Sequence, residues 1–326
     1  MDEIPQFESA ADGGGSLTAN GKPGPIWRFF FADGRLRPIW RFFLAVIVVA
    51  LANIIAGKTA FTIFGKHPLL ADASYRVLTL LALVGGFSLL LRFVDGVESG
   101  LLASQGLPIH RFAWREIWKG FGLGFLLVAL SVAAIALFGN LQMTVVLNAV
   151  TARRAGIVVI LLLAGALFEE VMFRGYPFQR LVEAIGPWFA ILVLSRLFGA
   201  AHLQNPNAGG ILSWGFFNTI AVGVLLALAY LRTKALWVPF GFHFAWNFAL
   251  GVAFGLPVSG LSTFSVIVRS HASGPKLLTG GDYGIESSLT GAVVIVLGIL
   301  IVLALPASKV EVPTGGENRV ASLNEN

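Results

Sequence analysis

Cysteine is absent from all 326 residues, which excludes disulfides, thiol nucleophiles and cysteine-held metal centres. Charge is scarce too. Asp, Glu, Lys and Arg make up only 12% of a chain that is 56% hydrophobic, about half the charged share of an average soluble domain. The 23 Lys and Arg outnumber the 17 Asp and Glu, but these cations are scattered between apolar runs. The +6 net charge is therefore a topology signal, and no nucleic-acid partner is implied. The first 22 residues lack the apolar core of a signal peptide. Residues 1–24 and 306–326 are polar and read as disordered cytoplasmic tails.

Long apolar runs are what the chain has instead. Eight are long enough to be candidate membrane spans: Phe42–Ile55, Val77–Arg92, Gly120–Phe138, Gly156–Phe173, Trp188–Leu203, Ile211–Leu231, Leu236–Phe254 and Leu289–Leu305. The expected fold is all-α, a polytopic transmembrane helical bundle of about eight spans over residues 42–305, with membrane lipid as its surroundings. An even number of spans puts both termini on one side. With the N-terminus inside, the cytoplasmic connections and tails hold 15 Lys and Arg against 7 on the opposite side, so the positive-inside rule predicts that both termini are cytoplasmic.

The sequence Pro-Ile-Trp-Arg-Phe-Phe occurs at Pro25–Phe30 and again at Pro38–Phe43, joined by the turn-like Ala32-Asp33-Gly34. Aromatic rings alternating with arginines suit an anchor at headgroup level, predicted over 25–41. Ile109–Lys119 carries Trp114, Trp118 and several basic residues, a composition that predicts a short amphipathic helix lying on the membrane before the third span. Residues 255–288 form the longest connection, rich in Gly, Ser and Pro. That composition suits either a lid or a disordered linker.

Three spans carry polar groups at helical spacing. The fourth contains Glu169, Glu170 and Arg174, the fifth Phe198 and His202, and the seventh His243 and Asn247. A charged side chain costs about 2.5–3.5 kcal/mol at the centre of a membrane helix on insertion scales, so such residues mark function or a buried ion pair. Residues i and i+4 share a helix face, so Glu170 can pair with Arg174, while Glu169 points about 100° away and stays free for proton transfer. Asn247 sits one turn from His243, where its amide can orient an imidazole or serve an oxyanion. Gly199, Ala200 and Ala201 let a neighbouring helix approach His202 closely. Two histidines and a carboxylate suit either a zinc ion or an attacking water, with a buried glutamate as general base. These are the parts of a hydrolase. The bland reading is a register-fixing ion pair and interhelical hydrogen bonds. Arg196 reads as a further partner for Glu170 or for a carbonyl. His67, His110 and His271 fall in connections, and Asn53 and Asn148 carry no argument.

At these residues the chain resembles the CPBP family of intramembrane proteases, which includes the CAAX prenyl endopeptidases of Ras-converting type and the bacterial Abi proteins. The family is marked by Glu-Glu-x-x-x-Arg, Phe-x-x-x-His and His-x-x-x-Asn or Asp on successive spans. Here they stand complete and in order as Glu169-Glu170 with Arg174, Phe198 with His202, and His243 with Asn247, within residues 156–250. The resemblance implies an eight-helix bundle with a cytoplasm-facing cavity. In it Glu169 and His202 activate a water, His243 and Asn247 stabilise the oxyanion, and Glu170 and Arg174 support them. It leaves open a zinc ion held by Glu169, His202 and His243 or a metal-free glutamate mechanism. It further implies an endopeptidase of the bacterial inner membrane acting on a peptide or a membrane-anchored protein, by CAAX-type processing or a related reaction.

Two other readings remain at this point: a proton-coupled transporter, and a non-catalytic scaffold or bacteriocin-immunity protein. One feature fits poorly. With the spans above, Glu169 lies near the cytoplasmic end of its helix and His202 near the far end of its own. A fourth helix running from Thr151 past Tyr176 toward Leu181, kinked at Pro177, would bring them level.

Overall fold

The computed structural model describes residues 24–306. The tails expected to be disordered lie outside these residues, apart from Gly24 and Pro306. In chain order come α1 (Pro25–Phe30), β1 (Phe31–Ala32), β2 (Arg35–Leu36), α2 (Pro38–Phe64), α3 (Pro68–Phe93), α4 (Leu101–Ser104), α5 (Ala113–Phe138), β3 (Asn140–Val145), α6 (Ala149–Arg174), α7 (Tyr176–Ile185), α8 (Pro187–Ala201), α9 (Trp214–Thr233), α10 (Trp237–Phe248), β4 (Val268–Ser273), α11 (Lys276–Thr279) and α12 (Leu289–Ala304). Each predicted span coincides with one of α2, α3, α5, α6, α8, α9, α10 or α12, so the protein is a helical membrane bundle.

Five of these are long and apolar enough to cross a bilayer by themselves: α2, α3, α5, the pair α6–α7, and α9. The fifteen residues of α8 rise only about 22 Å, short of a hydrocarbon core of about 30 Å. Helix α10 is short as well, and a π-helical turn, Ala249–Ala253, extends it. It is also the most enclosed helix, with Val238, Phe242, Ala245 and Trp246 all buried. The lipid-facing surface is supplied by side chains such as Ile47, Leu51, Leu81, Leu126, Leu192 and Leu300, all exposed.

Helix α6 starts at a capping box. Asn148 Oδ1 accepts from the Val150 and Thr151 N–H groups, and Thr151 Oγ1 accepts from the Asn148 N–H, so the backbone donors freed at a helix start are satisfied. The helix stops at Gly175, and Pro177 lies in the first turn of α7, where its missing N–H costs nothing. The break thus falls two residues before the kink expected at Pro177. Because α7 carries the chain on for ten more residues, the glutamates lie well inside the bundle and level with α8.

Other expectations are corrected. No separate amphipathic helix covers 109–119: α5 begins at Ala113 and runs unbroken to Phe138, since no proline or paired glycine interrupts it. Trp114 and Trp118 are exposed on its first turns. Residues 25–41 are divided between two helices and a hairpin. The first copy of the aromatic repeat forms α1, whereas the second opens α2, and between them Asp33 and Gly34 both take positive φ, the geometry of a tight hairpin. The copies pack on each other, Trp40 Nε1 donating to Phe29 O at 3.1 Å and Arg37 Nε to Arg28 O at 2.9 Å. Residues 255–288 are a folded cap and not a linker. Their strand β4 pairs antiparallel with β3 from Asn140↔Ser273 to Val145↔Val268, and buried Tyr283 and Ile285 root the remainder.

Candidate active site

Helices α5 and α10 touch backbone to backbone. A Cβ on Gly241 would sit 2.1 Å from Ile117 O, and one on Gly120 2.1 Å from Val238 O, so no larger residue fits either position without a shift. This contact fixes the depth of His243, two residues beyond Gly241. Likewise Gly223 on α9 leaves its carbonyl open to Arg174, and a Cβ there would collide with Ser195 of α8.

Glu170 and Arg174 are fully enclosed, at 0% and 2% exposure. Arg174 Nη1 donates to Glu170 Oε1 at 3.1 Å, Arg174 Nη2 donates to Gly223 O at 3.2 Å, and the guanidinium lies 4.6 Å from the Phe198 ring centroid. The same Glu170 oxygen lies 2.8 Å from His243 Nδ1. A carboxylate only accepts, so Nδ1 carries the hydrogen and Nε2 is turned toward Glu169. The expected pairing of Glu170 with Arg174 is therefore present, but the group that orients His243 is Glu170 and not Asn247. Arg196 is exposed on α8 and does not serve Glu170.

Glu169 faces the other way, into a cavity of about 360 Å³ that His202, His243 and Asn247 also line. Its Oε2 is 3.7 Å from His243 Nε2, too long for a direct hydrogen bond. That spacing admits one water oxygen within hydrogen-bonding distance of both. Glu169 Oε2 is also buried without a hydrogen-bond partner among the described residues. His202 closes α8, and its Nδ1 lies 2.8 Å from Phe198 O, which again puts the hydrogen on Nδ1 and leaves Nε2 as the acceptor. Phe198 is the hub: its ring packs 4.7 Å from His202, 6.1 Å from His243 and 5.2 Å from Phe173. Among the described residues, no three His, Asp or Glu side chains come together as a metal-holding cluster.

Several cavity groups were not foreseen from sequence. Arg76, counted there as a loop cation, belongs to α3, which begins at Pro68, nine residues before the predicted span. Its Nη1 stands 3.8 Å from Glu169 Oε1 and its Nε pairs with Asp72 at 3.1 Å. A Cβ on Gly165 would overlap that guanidinium at 2.5 Å, so this glycine makes its berth. Asn53 and Tyr75 also line the cavity. On the opposite wall stands Glu286, from the cap, with 9% exposure. It accepts from Trp246 Nε1 at 3.1 Å and from the Ser259 N–H. Burial pushes its carboxyl above the usual carboxylate range, while the Ser259 N–H and His202 oppose that shift. Asn218 of α9 fixes the turn beneath, its Nδ2 donating to Glu286 O and Ser288 O at 3.0 and 2.8 Å. A carboxylate three residues before a span was the available signal, but nothing in a linear reading brings it back to Trp246.

Comparison with known proteins matches the stretch of chain that carries these residues. Residues 151–249 match the family described as Type II CAAX prenyl endopeptidase Rce1-like, a stretch that holds Glu169, Glu170, Arg174, His202, His243 and Asn247. An 85-residue stretch is 32% identical to the protein named "Putative membrane peptidase YdiL" of Bacillus subtilis (strain 168), covering 26% of this chain and 32% of that one. The chain thus spans about a third of the length of this curated relative. No solved structure matches. All three motifs, complete and on three helices, lie inside the matched stretch, and over it the chain is similar to the Rce1-like CAAX endopeptidases of the CPBP family of membrane proteases.

Proposed function

We propose that this protein is an endopeptidase of the bacterial inner membrane that cuts a peptide bond by a water activated at Glu169. The observation that carries this is the bare, buried Oε2 of Glu169, 3.7 Å from the Nε2 of a histidine locked by Glu170. Glu169 takes a proton from the water as the oxygen attacks the carbonyl carbon, and His202 Nε2 accepts the water's other hydrogen bond. Asn247 lines the place where the carbonyl oxygen becomes an oxyanion, and a donor amide aimed there is worth most inside a water-poor cavity. Glu169 then passes its proton to the leaving nitrogen as the C–N bond breaks, leaving a carboxylate on one fragment and an amine on the other. Glu170 and Arg174 touch no substrate in this scheme and keep His243 in its tautomer. No step is routed through zinc, since Glu169 as base and the water supply the whole sequence.

The substrate is a peptide or a membrane-anchored protein presented at the bilayer, with CAAX-type tails as the class suggested by the family, and both termini of the protease lie in the cytoplasm. A transporter has no use for a carboxylate pair divided between support and solvent. An idle scaffold has no need of a carboxylate turned into a cavity beside an imidazole that it does not bond. The test is cleavage of a defined membrane-anchored peptide by the purified protein in lipid. Wild type should cleave, and Glu169→Gln should not while folding normally. Equal turnover by the two proteins would end the proposal.

A further inference from the structure

A second pocket, of about 210 Å³, opens at the opposite end of the bundle from the β3–β4 sheet. Its walls are the start of α2, the end of α3, α7 and the end of α9. These are helix ends on one face of the bundle, hence at headgroup level. Four cations line it, Arg35, Arg41, Arg180 and Lys234, against two carboxylates, Asp95 and Glu183. Arg41, Arg180 and Lys234 alone outnumber the two carboxylates.

The carboxylates hold the arginines in place. Asp95, 5% exposed, takes Arg41 Nη1 at 2.9 Å and Arg180 Nη1 at 3.5 Å, and Glu183 takes Arg180 Nη2 at 2.7 Å. Arg41 Nε is occupied by Leu36 O, which leaves its Nη2 without an acceptor among the described residues. Arg180 Nε is buried and also has none among them. Lys234 ends α9 at φ +57°, a left-handed conformation that a non-glycine residue adopts at a cost, and forms no ion pair among the described residues. Beside the cations lie apolar side chains, Leu91, Val97, Phe178 and Leu231. Helix α1, which leads into the β1–β2 hairpin, carries exposed Trp27 and Phe29, an interfacial composition.

We propose that this pocket binds the glycerophosphate headgroup of an anionic membrane phospholipid. Guanidinium groups pre-set by Asp95 suit a phosphodiester, Lys234 adds a point charge, and the apolar wall accommodates the glycerol and first acyl carbons. Basic pockets between spans bind phospholipid headgroups by this chemistry. Lipid is preferred to a soluble phosphate because cations and apolar side chains share one wall at the level of the helix ends.

The experiment uses the full chain in neutral detergent, with native mass spectrometry counting retained lipid and a titration giving its affinity. Phosphatidylglycerol should be retained and phosphatidylcholine lost. Lys234→Gln should weaken phosphatidylglycerol binding about fivefold, the equivalent of the ~1 kcal/mol assigned to one basic residue at an anionic surface. Lys234→Arg should restore it, and Lys66→Gln, an exposed cation elsewhere, should leave it unchanged. If Lys234→Gln does not fold, Arg35→Gln on the hairpin tests the same wall. Equal retention of the two lipids, or no difference between the Lys234 and Lys66 variants, overturns the proposal. So does glycerol phosphate stripping the lipid at low millimolar concentration, which would assign the pocket to a soluble phosphate.

Discussion

One carboxylate oxygen, Glu170 Oε1, receives both Arg174 and His243, and this sharing separates the roles of two adjacent glutamates. Glu170 is sealed by its partners, whereas Glu169, a third of a turn away, meets a cavity and an imidazole that it does not bond. Different variants should therefore fail in different ways. Glu169→Gln preserves shape and removes the base, so cleavage should vanish while the thermal midpoint in detergent stays near wild type. Arg174→Ala strands a buried carboxylate and should cost about 3–5 kcal/mol of stability, visible as a lower midpoint and poor yield. Asn247→Ala should lower kcat by about 10²–10³ with KM little changed if its amide serves the oxyanion. A Glu169→Gln protein as unstable as Arg174→Ala would make the first glutamate structural.

At the scale of elements, two contacts place the site. The glycine seam between α5 and α10 sets the depth of His243. Gly241→Ala puts a methyl group 2.1 Å from Ile117 O, so the helices must part, at a cost of about 1–3 kcal/mol. Turnover should fall more than the stability loss alone explains, because His243 moves with the seam. A Gly241→Ala enzyme with normal stability and normal kcat would show that the seam gives way without moving the site. The second contact is the cap. Glu286 ties residues 255–261 to α10 through the Ser259 N–H and Trp246. Glu286→Gln offers one acceptor where two donors point, so hydrogen exchange should rise across 255–261 while α2 and α3 stay protected. Unchanged exchange in that segment would leave the cap held by β3–β4 alone.

At the scale of the molecule, cations concentrate at one end of the helices and the β3–β4 sheet lies at the other. Reporter fusions after residue 306 should read cytoplasmic, because with Arg174 and Arg76 placed inside the bundle the bias of Lys and Arg in the connections and tails is still 14 to 6. An external reading would reverse the side from which substrate enters. If Glu169 alone activates the water, removal of metal with a strong chelator should leave turnover intact. Inhibition that zinc alone restores would mean that the three side chains regroup around an ion.

The eight helices and the six motif residues were legible in the linear chain for definite reasons. Apolar runs report burial in lipid directly, and i, i+4 spacing reports a shared helix face whatever the surroundings. The break after Arg174 was legible too, from Pro177, to within two residues. What stayed hidden depends on distances between segments far apart in sequence. Arg76 reaches Glu169 across 93 residues and Glu286 reaches Trp246 across 40, and no local periodicity encodes such pairs. Span ends were misjudged where polar residues such as Asp72 and Arg76 start a helix that tertiary partners neutralise. The partner of His243 was misassigned for the same reason, since spacing favours a neighbour on the same helix while the packing of α6 against α10 supplied a charged one. Composition and spacing by themselves determined the bundle and the chemical groups. Only the tertiary structure decided which carboxylate was spent on support and which was turned into the cavity, because that depends on which helices touch.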